Sequence, residues 1–120
     1  MREILYRAKT LGKGKWIFGI PRKTPLGNWL MRDNGDGAGL AIDPGTLGQS
    51  TGIEDIDGHV IFEGDTIRVS VFPTEYAVIY DSDRCSFIGV SGDGRRIHLS
   101  SYRRYTITGN IHDDHGKDMQ

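Results

Sequence analysis

Glycine restricts this chain more than any other feature. Seventeen of its 120 residues are glycine, and only four are proline. A glycine inside a helix costs about 1 kcal/mol against alanine, so a chain interrupted this often does not build long helices. Tight turns between strands use glycine freely, because many of them need positive φ. Between the glycines, apolar residues recur at period two. Ile67, Val69 and Val71 alternate with Thr66, Arg68 and Ser70, and Ile97 and Leu99 alternate with Arg96 and His98. Such alternation belongs to half-buried strands.

Residues 4–9 and 15–20 read as an N-terminal hairpin around Gly12 and Gly14. Short strands at 29–31 and 40–42 flank residues 33–39 (DNGDGAG), which read as a flexible connector. Residues 46–52 are expected to be extended. Asp57 and Gly58 turn residues 53–56 back into 59–62. Strands at 66–71, 76–80, 85–90, 95–99 and 105–111 follow, with one helical or 3-10 turn at 100–103. Short strands every 8–12 residues or so suggest a small sandwich or barrel. The expected architecture is therefore all-β. An SH3-like small barrel occupies residues 43–111, an N-terminal β extension residues 1–42 and a flexible tail residues 112–120. The length suits one domain with one core, needing neither disulfide nor metal.

Composition narrows the function classes. No run approaches the 18 or so apolar residues of a membrane span, and the first residues lack the apolar stretch of a secretory leader. Cys85 is the only cysteine, so a reducing, cytoplasmic setting is expected, with no membrane partner. A small, partly buried role is expected for that thiol.

The formal net charge of −1 hides a segregation. Residues 1–32 carry eight Lys/Arg against one Glu, and residues 33–65 carry eight Asp/Glu and no Lys/Arg. Residues 84–110 carry five Arg against one Asp. Opposed blocks neutralise one another on folding, join copies of the chain, or leave a basic patch for phosphate. The best candidate for such a patch is Arg95, Arg96, His98, Tyr102, Arg103, Arg104 and Tyr105. Arginine offers paired donors to phosphate, and tyrosine a flat face for bases.

Catalytic constellations fail on spacing. Gly89-Val90-Ser91-Gly92 brings the second glycine one place too early for a nucleophile elbow. Gly12-Lys13-Gly14-Lys15 lacks the spacing and the hydroxyl of a phosphate loop. His112-Asp113-Asp114-His115 carries metal-ligand residue types but sits in the expected tail. The expectation is no enzyme, no cofactor and no metal.

Four segments belong together: the opening residues 1–9 with 15–19, the segment Asp43-Pro44 with residues 46–53 (TLGQSTGI), Asp55 with Asp57-Gly58 and residues 61–69 (IFEGDTIRV), and the closing residues 108–113 (TGNIHD). In this order and spacing they resemble the YopX family. The resemblance implies a small bacteriophage or prophage protein in the bacterial cytoplasm, with a barrel similar to SH3 domains in its C-terminal part. It implies no activity and no catalytic residues. Within these motifs Gly48, Gly52, Gly64 and Gly109 are expected where φ is positive or a side chain would clash. Asp65 is expected to accept backbone N–H groups at the entry to a strand, and Gln49 and Asn110 are buried-amide candidates. The functional expectation is a non-enzymatic module that binds a host or phage protein, or itself. The alternative is a small barrel that binds nucleic acid through residues 95–105.

Overall fold

The computed structural model describes residues 5–100 and 103–113. Strands make up its regular structure apart from one 3-10 turn at Pro44–Thr46. The strands divide between two units, residues 1–50 and 51–120. No helix among the described residues is long and apolar enough to cross a membrane.

The first unit holds β1 (Tyr6–Lys9), β2 (Trp16–Gly19), β3 (Arg22–Lys23), β4 (Trp29–Asp33) and β5 (Asp36–Ala41). It also holds the start of β6 (Gly48–Glu54). β1 pairs antiparallel with β2 on one side and with β6 on the other, where Tyr6 faces Gln49 and Arg7 faces Gly48. β3, β4 and β5 form a separate antiparallel sheet. Ala8, Ile17, Met31 and Ile42 are buried together, and Tyr6, Trp29 and Leu47 pack against them. The second tryptophan, Trp16, lies beneath the Arg7 guanidinium, 4.7 Å from its ring centre.

Gly19 is required where β2 meets β4: a Cβ there would lie 2.5 Å from the Arg32 carbonyl oxygen. Residues 33–39 are not a flexible connector. Asn34 (φ 55°) and Gly35 (φ 78°) both take the left-handed conformation and close a tight hairpin from β4 into β5. β5 accommodates two glycines because all six of its residues are exposed and none has to fill a core. Asp43 caps the 3-10 turn, its carboxylate accepting the Gly45 N–H at 3.0 Å. The buried Thr46 hydroxyl then accepts the Lys9 N–H at 2.8 Å and fastens the turn to β1.

In the second unit β7 (Val60–Phe62) lies beside β6. Here the buried Thr51 hydroxyl donates to the Ile61 carbonyl at 2.8 Å. β8 (Asp65–Val69), β9 (Glu75–Asp81), β10 (Ser86–Ser91), β11 (Arg96–His98) and β12 (Tyr105–Asn110) form one sheet in the order β11-β10-β9-β8-β12. Four strands meander, and the last returns beside the first. Ile61, Ile67, Val78 and Tyr105 are its buried centre, enclosed by partly buried residues that include Ile53, Phe87 and Leu99.

The expected all-β class is borne out, while no sheet among the described residues closes on itself: β11 and β12 end the five-stranded sheet as separate edges. The described residues hold two buried clusters, one in each unit, and the units divide after residue 50. The motif residues occupy structural positions. Gly52 (φ 80°) and Gly64 (φ 97°) take positive φ. Gly48 is buried in β6, and Gly109 stands at a register shift in β12.

Candidate functional site

The residues singled out between 95 and 105 do not form one surface. Arg95 Nε meets Asp93 Oδ2 at 3.4 Å, and its N–H donates to the Ser91 hydroxyl at 3.0 Å. The hydrogen bond from the Ser91 hydroxyl, followed by the Arg95 N–H and charge, holds the Asp93 carboxyl below the usual range. Arg96 and His98 are exposed on β11, at one edge of the five-stranded sheet. Arg103 and Arg104 are exposed at the start of β12, the opposite edge. Tyr102 lies outside the described residues. Tyr105 is fully buried, and its hydroxyl accepts the Ser100 N–H at 2.8 Å. Its ring is core and gives no stacking face, which corrects the place it was assigned in the patch.

Arg103 and Arg104 instead line a cleft of about 430 Å³ with residues 52–56. Two backbone bonds fix the segment between its neighbours: the Tyr105 carbonyl accepts the Ile56 N–H at 2.9 Å, and the Arg104 carbonyl accepts the Ser70 N–H at 2.8 Å. Neither arginine makes an ion pair among the described residues.

Ser70 opens the turn from β8 to β9. The alternation from Ile67 had placed Val71 on the same face as Val69, but the strand ends at Val69. Ser70 takes φ 51°, and the Phe72 N–H closes back on the Val69 carbonyl at 3.1 Å. Val71 is left 92% exposed and Phe72 64% exposed, while Ile56 on the cleft wall is 57% exposed. The surface is thus two apolar side chains on a hairpin tip, joined at its base to an arginine pair. Sequence reading missed the tip. Pro73 bounds the strand in the sequence, but it does not mark the earlier end at Val69.

Other clusters have local explanations. The side chains of Asp55, Asp57 and His59 bring possible ligand atoms within 4.8 Å of one another. Asp55 Oδ1 already accepts the Asp57 N–H at 3.0 Å and the His59 N–H at 2.8 Å, so the carboxylate serves the turn between β6 and β7. Gly64 packs against the His112 ring, whose nearest atoms are 3.4 Å from the position of a Cβ. Asp114 and His115 lie outside the described residues. Cys85 is exposed, not partly buried as expected, and takes φ 52° at the β9–β10 hairpin.

Residues 6–116 match the family described as YopX protein. No curated protein matches the chain.

Proposed function

The chain belongs to the YopX family, and on that premise we propose that it works without a reaction of its own, as a module that binds another protein. The observation that carries this reading is the hairpin tip, where Val71 and Phe72 are 92% and 64% exposed. A turn that holds two apolar side chains in water spends stability that a partner's surface recovers. Exposed Ile56 and the Arg103–Arg104 pair line a cleft in the same unit and offer further apolar and directional contacts. The family resemblance adds the setting, a phage or prophage protein acting in the bacterial cytoplasm. The test is crosslinked affinity capture with the wild type and Phe72→Ser, each checked for an unchanged circular dichroism spectrum. A protein captured by the first and lost by the second supports the reading. Equal recovery by both overturns it.

A nucleic-acid reading draws on one observation, the exposed Arg103 and Arg104 on the cleft. Against it, residues 51–120 carry seven Lys/Arg and twelve Asp/Glu, a net −5 that repels a polyanion. The buried Tyr105 and the separation of Arg96 from Arg103 across the sheet weaken it further. Fluorescence anisotropy with short DNA and RNA at several salt concentrations decides between the readings. Phosphate contacts would give a slope of about −0.9 per contact on duplex DNA, reduced in an Arg103→Ala, Arg104→Ala variant.

A further inference from the structure

We propose that the occupant of the apolar groove on the first unit is the β8–β9 hairpin tip of a second copy of the chain. This inference rests on the protein-binding reading and names the partner. The groove encloses about 820 Å³, with Leu5, Ile20, Leu30 and Met31 among its lining residues. Met31 is buried at its floor, and Ile20 is 65% exposed on its wall. Arg22 and Arg32 also line it, both exposed and neither in an ion pair among the described residues. Arg32 Nε donates to the Gly37 carbonyl at 2.8 Å, so this cation is held in place.

The tip offers the complement. Val71 and Phe72 supply apolar side chains without a partner surface, and exposed Glu75 follows at the start of β9. Charge agrees at the scale of whole units. Residues 1–50 carry eight Lys/Arg against four Asp/Glu, a net +4, facing the net −5 of residues 51–120. Opposite fields steer the two surfaces together, and the apolar contact then holds them. An apolar floor suits apolar side chains, and the two arginines at its margin suit a carboxylate beside them. The contact joins two different surfaces, so it closes as a reciprocal pair or a ring, or runs on as an open filament.

The experiment is sedimentation velocity on the full chain over a concentration series, at low and high salt. The wild type self-associates, and its apparent dissociation constant rises about tenfold or more as salt increases. Phe72→Ser, which keeps the groove, and Ile20→Glu, which keeps the tip, are each monomeric. Mixed, they form a one-to-one dimer, because one intact tip still meets one intact groove. Both positions are exposed, and a thermal melt of each variant confirms folding. As a second check, Arg22→Glu weakens association and mixing it with Glu75→Arg restores it.

A wild type that stays monomeric throughout overturns the inference. So does association that survives Phe72→Ser, or a mixture that stays monomeric. In each case capture of a foreign protein that depends on Phe72 would leave the protein-binding reading standing. Loss of that dependence as well would remove both.

Discussion

The Asn110 side-chain amide donates to the Asp65 carboxylate at 3.2 Å inside the second unit, across 45 residues of chain. Each partner also satisfies a backbone group. Asp65 Oδ2 accepts the Phe62 N–H at 2.8 Å, and Asn110 Oδ1 accepts the His112 N–H at 2.8 Å. The pair therefore ties the entry of β8 to the exit of β12, its neighbour in the sheet. Asn110→Ala removes both of these side-chain hydrogen bonds from a buried site. The expected loss is about 1–3 kcal/mol in urea unfolding.

Gly19→Ala and Gly35→Ala fail for different reasons. The first places a methyl 2.5 Å from the Arg32 carbonyl oxygen, and β2 or β4 must shift at a cost of about 1–3 kcal/mol. The second meets open space, but φ 78° strains any L side chain. It should lose about 1–2 kcal/mol. Thermal melts of the two variants measure both, and a null result at Gly19 would place β2 further from β4 than described.

The hairpin tip is expected to be free of structural duty. Phe72→Ser should change stability by no more than about 0.5 kcal/mol, the range of ordinary surface substitutions. Ser70→Gly relieves the φ of 51° and should gain up to about 1 kcal/mol. Melting curves check both signs, and a destabilised Phe72→Ser would mean that the ring packs on its own unit.

Acid titration reads two turns separately. Burial of Asp81 opposes its ionisation, but bonds from the Arg84 guanidinium and the Asp83 N–H outweigh it and hold the carboxyl below its usual range. Asp93 is held low chiefly by the Ser91 hydroxyl. A carboxyl depressed in the folded state adds stability above its unfolded pKa of about 3.9. That contribution is lost as pH falls through the lower folded value. Arg84→Ala should raise the Asp81 midpoint and leave that of Asp93 unchanged, as followed by carboxyl-carbon NMR.

The strands of the second unit were readable because they alternate. Ile67 and Val69 face the core as their spacing requires, and Ile97 lies between exposed Arg96 and His98. The same regularity misled at Val71, where a left-handed Ser70 reversed the chain while the apolar pattern ran on. The first part of β5 was missed for the opposite reason, since only residues 40–42 were expected to be a strand. An exposed strand needs no apolar face, so Asp36–Ala41 shows no periodicity, and only Asn34 beside Gly35 marks the turn that creates it. The separation into two cores left no linker to recognise, since β6 runs without interruption past residue 50. Of the candidate surface, the arginines were visible as charge. The tip was not, because exposure of an apolar residue is set by the turn and not by its neighbours in sequence.

Both tryptophans of the chain, Trp16 and Trp29, belong to the first unit, whereas four of its five tyrosines belong to the second. The protein thus carries its own pair of optical reporters. Tryptophan emission follows the core around Met31, and the dichroism of the tyrosines follows mainly the core around Ile67. Unfolding curves that coincide in the two signals describe one cooperative transition. Curves that part describe two, and the order in which they part identifies the weaker half without any label being added.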